Sequence, residues 1–129
     1  MRIMGIDPGY AIVGVGLVDY DNVRFSLVEY GAITTPAELP FETRLRQIYD
    51  DMVGLITQYR PDAVAMEQLF FTTNRTTAIA VAEARGVLLL AAEQQGVPVS
   101  NYTPLQVKSA VVGYGKAEKE QVMEMPRRL

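Results

Sequence analysis

Cysteine does not occur in the 129 residues of this chain, so a disulfide framework and any thiolate metal site are excluded. Histidine is absent too. That removes imidazole-built zinc sites, Ser-His-Asp triads and histidine acid–base catalysis together. Chemistry here must run on carboxylates, lysines, tyrosines or a hard metal ion. No apolar run approaches the roughly 18 residues that cross a bilayer, and the N-terminus shows no basic segment followed by an apolar one. A cytoplasmic protein without a membrane partner is the expectation. No aspartate follows Asp62.

What is present suits one domain spanning 1–129 with a single core. Hydrophobic residues make up 49% and charged residues 21%, a balance that predicts a globular chain. The net charge of −3 argues against purely electrostatic binding to nucleic acid. Its distribution is uneven, however. Residues 1–67 carry five Lys/Arg against ten Asp/Glu, and residues 68–129 carry seven against five. Cations clustered on one face would still permit DNA binding.

The first third reads as strands: Ile3–Ile6, Ile12–Val18 with Gly14 and Gly16 thinning one face, and Val23–Thr34 after the turn-like Asp21-Asn22. Leu45, Ile48, Tyr49, Met52, Leu55, Ile56 and Tyr59 then follow the spacing of an amphipathic helix that stops before Pro61. Ala63–Met66 is a short apolar strand. Residues 74–95 read as a long alanine-rich helix with a Thr/Asn cap, whose small residues Ala78, Ala82 and Gly86 would let it approach a sheet. Val97–Val99 is a fifth strand. Thr103-Pro104-Leu105-Gln106 is a capping box that opens another helix, and a last helix starts near Ala117. The order β-β-β-α-β-α-β-α predicts a mixed five-stranded sheet with helices on its faces.

Two of these apolar strands end on a carboxylate, the first at Asp7 and the fourth at Glu67. Singly, an Asp before Pro8-Gly9 reads as a turn opener and a Glu at a strand end as a solvated residue. If the two strands are neighbours, the carboxylates meet at the sheet edge where α/β proteins build their sites. Their mutual repulsion then calls for a cation between them. Oxygen ligands suit Mg²⁺ or Mn²⁺. Pro8-Gly9 fits a type II turn, with glycine at positive φ, that would fix the direction of Asp7.

The segments GIDPG (5–9), EQLFF (67–71), ARGVLLLAA (84–92), YTPLQVK (102–108) and GKAEKEQV (115–122) occur in that order. Together they resemble the bacterial RuvC family of crossover-junction endodeoxyribonucleases, over essentially the whole chain. The resemblance implies a ribonuclease-H-like fold and a homodimer acting on four-way junction DNA. It also implies a branch-migration complex (RuvA-RuvB) as partner and Mg²⁺-dependent phosphodiester hydrolysis with two ions. By position, it makes Asp7 and Glu67 catalytic metal ligands. Phe70 becomes an aromatic wedge at the opened junction, and Lys108 and Lys119 become catalytic lysines on phosphate. Asn74 and Arg75 take a DNA-contacting role; Arg85 reads as structural. The bland alternatives are core packing for Phe70 and a solvated helix face for the lysines.

The family's later acidic pair has no counterpart here. Glu83, Glu93, Glu118, Glu120 and Glu124 are the only carboxylates after Glu67; helical spacing exposes the last three. Pro126 also breaks the closing helical pattern. The expectation is therefore an incomplete C-terminus, a doubtful second ion and little nuclease activity in these 129 residues. Three alternatives stand beside it: a junction-binding module that does not cut, an actin-like phosphotransferase sharing the Asp-x-Gly turn, and a partly unfolded remnant.

Overall fold

In the computed structural model, which describes residues 1–67 and 75–102, the alternating apolar residues of the N-terminal third resolve into three strands. These are β1 (Arg2–Asp7), β2 (Ile12–Tyr20) and β3 (Phe25–Thr34). They are followed by α1 (Phe41–Tyr59), β4 (Ala63–Glu67), α2 (Arg75–Gln94) and β5 (Val99–Tyr102). The strands form one sheet in the order β3-β2-β1-β4-β5. The first three pair antiparallel, whereas β4 runs parallel to β1 and β5 parallel to β4. The expected mixed five-stranded sheet is present. Both helices expected after Tyr102 lie outside the described residues.

Side-chain alternation decides which face is covered. Met4 and Ile6 on β1, Val13, Val15 and Leu17 on β2, and Val64 and Met66 on β4 join one buried cluster with α1 and α2 residues. Burying each such side chain stabilises the fold by about 1.5–3 kcal/mol. α1 contributes Ile48, Met52, Leu55 and Ile56, and α2 contributes Ala84, Leu88, Ala91 and Ala92. Residues at the odd positions of β1, Asp7 among them, point to the opposite face.

Local boundaries differ from the sequence reading for identifiable reasons. α1 starts at Phe41, four residues before Leu45, because Pro40 (φ −54°) leads the chain into the helix. It ends at a left-handed Arg60 (φ 49°) whose N–H donates to the Ile56 carbonyl at 2.8 Å. α2 closes on Gly96 (φ 72°), with the Val97 N–H donating to the Ala92 carbonyl at 3.0 Å. Val97 is thereby drawn under the helix end and buried, so β5 begins at Val99 rather than Val97. The small-residue stripe needs correction: Ala82 and Gly86 are exposed, and the buried face of α2 carries Ala84, Leu88, Ala91 and Ala92 instead.

At the end of the sheet where β1 begins, Arg2 ties three elements together. Its Nε and Nη2 donate to the Asp19 carboxylate at 2.9 and 3.2 Å, and its Nη1 donates to the Tyr59 carbonyl at 2.9 Å. The Arg2 N–H donates to Asp62 Oδ2 at 2.7 Å.

Candidate functional site

Asp7 and Glu67 are the last residues of β1 and β4. The parallel register runs from Ile3 opposite Ala63 to Ile6 opposite Met66, and one step further sets Asp7 beside Glu67. Parallel neighbours at equal register share a face, on backbones about 4.8 Å apart. The two carboxylates therefore end adjacent central strands, on the face away from α1 and α2. Asp7 is exposed and Glu67 half-buried. Asp7 makes no hydrogen bond or ion pair among the described residues.

The neighbour on the other side of Asp7 is Gly14 of β2. A Cβ built on Gly14 would stand 3.3 Å from Asp7 Cβ and 3.9 Å from its Oδ2. Facing residues ordinarily keep their Cβ atoms about 4.5–5.5 Å apart, so the missing side chain leaves the approach to Oδ2 open. The residues present fit a hard divalent cation: two oxygen donors on one face, with room beside one of them. Among the described residues no group of three or more carboxylates gathers.

The connection after Asp7 is held from two directions. Thr35 Oγ1 donates to the Tyr10 carbonyl at 2.8 Å, and the Thr35 N–H donates to the Ala11 carbonyl at 3.2 Å. Arg44, buried on α1, donates through Nε to Thr35 Oγ1 at 2.9 Å and through Nη2 to the Thr35 carbonyl at 3.3 Å. Its guanidinium carbon lies 5.2 Å from the centroid of the Tyr10 ring, which meets Phe41 edge-on at 6.0 Å. Gly9 is not at positive φ, which overturns the type II turn. Its glycine is required by crowding instead: a Cβ there would stand 2.1 Å from the Ile12 carbonyl oxygen.

Of the residues singled out from the sequence, the structure brings Asp7 and Glu67 together. Arg75 is the first residue of α2, though its side chain lies outside the description. Phe70, Asn74, Lys108 and Lys119 also lie outside the described residues. Tyr10, Thr35, Arg44 and the pairing of Gly14 with Asp7 are contributions of the fold that the sequence pattern does not single out. Arg44 did carry a signal, since it sits one turn before Ile48 on the buried stripe of α1.

A sheet of order 3-2-1-4-5, with acidic residues ending its adjacent parallel central strands, is the framework of a ribonuclease-H-like domain. Comparison with known proteins narrows the class. The model of the family "Crossover junction endodeoxyribonuclease RuvC" matches residues 3–129. The Brevibacillus brevis protein of that name is 56% identical over 129 residues, covering 100% of this chain and 78% of the relative. A solved structure, "Thermus thermophilus RuvC structure", superposes with a TM-score of 0.73 at 36% identity, covering 95% of this chain and 75% of that one. Another, "T. thermophilus RuvC in complex with Holliday junction substrate", gives 0.75 at 34% identity, covering 84% and 68%. The chain belongs to the RuvC family of crossover-junction endodeoxyribonucleases, hydrolases of DNA phosphodiester bonds that depend on a divalent metal. No helix among the described residues is long and apolar enough to cross a membrane.

Proposed function

We propose that this chain, as a single domain over 1–129, acts in the cytoplasm as a Mg²⁺-dependent nuclease that nicks four-way DNA junctions, at a rate held low by the absence of any aspartate after Asp62. The observation that carries the reading is the convergence of Asp7 and Glu67 at the ends of β1 and β4. Mn²⁺ is an equally suitable ion for this donor set. When bound, such an ion supplies Lewis-acid charge beside the scissile phosphate and makes water a better nucleophile. Asp7 and Glu67 hold it and aim it at one face of the sheet. Lys108 and Lys119 orient the phosphate by charge, and Asn74 and Arg75 bind backbone near the start of α2. Phe70 stacks on an exposed base, which is worth about 1–3 kcal/mol.

A homodimer completes the reading, because symmetric nicking requires two sites related by a two-fold axis. The outward face of α2 supports it. Ile79 and Leu90 are 60% and 51% exposed there, with Ala82 and Gly86 between them, so a second helix could approach closely. A branch-migration complex of the RuvA-RuvB kind is the expected partner on the junction.

The test is cleavage of a synthetic four-way junction by the parent, Asp7→Asn and Glu67→Gln in Mg²⁺. Paired nicks lost in both variants support the proposal; equal nicking by all three overturns it. The phosphotransferase alternative loses ground to a family match over residues 3–129. A junction binder that does not cut is likewise not favoured, because the relatives that match along the whole chain bear the name of an endonuclease. That reading would regain support only from tight junction binding without any nicking.

A further inference from the structure

We infer that Gly14 is a positioning residue for Asp7: by lacking a side chain, it sets where the Asp7 carboxylate stands and keeps its Oδ2 open to a cation. The inference rests on the proposal that Asp7 holds a divalent metal. Gly14 faces Asp7 across the antiparallel β1–β2 pair. A methyl group at position 14 would lie 3.3 Å from Asp7 Cβ, closer than cross-strand Cβ atoms normally come. Something must therefore yield by a few tenths of an ångström.

The surroundings decide what yields. Val13 and Val15 flank Gly14 in β2 and are 0% and 1% exposed, locked in the core. β2 is also held on its far side, where Gly14 pairs with Ala32 of β3. Asp7, by contrast, is exposed at the last position of its strand. The contact is relieved most cheaply by moving Asp7, and the moving part is the carboxylate. The added methyl also narrows the space next to Oδ2, 3.9 Å away. Strand stability itself should not suffer, because alanine is preferred to glycine within a strand. Metal affinity and fold stability are thus expected to separate, which a purely structural glycine would not allow. Small displacements of a ligating group weaken such sites disproportionately.

The experiment titrates Mn²⁺ alone into the full 129-residue parent, Gly14→Ala and Asp7→Asn, reading the free ion by electron paramagnetic resonance. Metal-free melts are recorded in parallel. The expected result is loss of the site in Asp7→Asn and a Kd raised about tenfold or more in Gly14→Ala, which still melts no lower than the parent. Gly14→Ala binding within about twofold of the parent, while Asp7→Asn fails to bind, overturns the inference and leaves the metal reading intact. A Gly14→Ala chain that does not fold, or that melts well below the parent, also overturns it, because the strand pair rather than Asp7 would then absorb the contact. If Asp7→Asn binds like the parent, or the parent does not bind, the metal reading fails and this inference falls with it.

Discussion

Replacing Arg44 with alanine should unfasten the connection that follows Asp7. The guanidinium holds both the hydroxyl and the carbonyl of Thr35, at 2.9 and 3.3 Å, and lies over the Tyr10 ring. Thr35 and Arg44 are each 8% exposed, so water cannot fully replace the lost donors. Leaving Thr35 under-satisfied costs about 1–3 kcal/mol. Losing the contact with Tyr10 costs about 0.5–2 kcal/mol, and losing the buried alkyl stem about 1–2 kcal/mol. Against this stands the relief of a buried cation with no carboxylate in ion-pair range among the described residues, a gain of about 1–3 kcal/mol. The balance is a net loss of about 2–4 kcal/mol. For a chain of this size that lowers Tm by about 7–15 °C, at roughly 3–4 °C per kcal/mol. Arg44→Lys keeps the charge but not the planar fork, so it should recover less than half of the loss. Thermal melts followed by circular dichroism measure all three chains. An Arg44→Ala chain melting within about 2 °C of the parent would refute the claim that this arginine fastens the connection.

The remaining expectations are smaller or lie closer to DNA. Gly9→Ala places a Cβ 2.1 Å from the Ile12 carbonyl oxygen, so backbone must move and Tm should fall by several degrees, by the roughly 1–3 kcal/mol of overpacking; an unchanged melt would contradict the crowding. Hydrogen bonding from Arg2 holds the Asp19 carboxyl below its ordinary 3.8. Its stabilisation is therefore fully present above about pH 4 and disappears as the pH falls through the lower folded value. Since both side chains are partly exposed, the effect stays below about 1 kcal/mol. Asp19→Asn should lower Tm slightly at pH 6, and the gap should close near pH 2. Lys119→Ala should weaken junction binding for all sequences alike and reduce the salt slope by about one contact, read by gel shift at several salt concentrations. Phe70→Ala should bind duplex normally while opening junctions less, read by base-analogue fluorescence at the crossover.

The strand alternation and the switch to helical spacing after Thr34 were legible because one face of each element is buried, and burial writes a period into the sequence. The carboxylates were legible for the same reason, since Asp7 and Glu67 each interrupt an apolar strand at its end. What pattern does not carry is the partner of a residue. Gly14 showed as a thinned face, but only the β1–β2 register sets it opposite Asp7. Gly9 showed as a turn residue, yet its constraint comes from Ile12, three positions on. The buried stripe of α2 is not legible because alanine occurs on both faces of that helix, and composition cannot tell the buried Ala84 from the exposed Ala82. Arg44 sits in an apolar spacing where a charge looks like an exception. Its partners, Tyr10 and Thr35, come from two separate connections that only the fold brings together.

Crystals of this chain soaked in Mn²⁺, with anomalous scattering recorded at the manganese edge, would locate a cation held between Asp7 and Glu67. A peak is expected within about 2.0–2.3 Å of one carboxylate oxygen from Asp7 and one from Glu67. Those two carboxyl groups on opposite faces of the sheet, or a well-ordered site with no manganese between them, would contradict it.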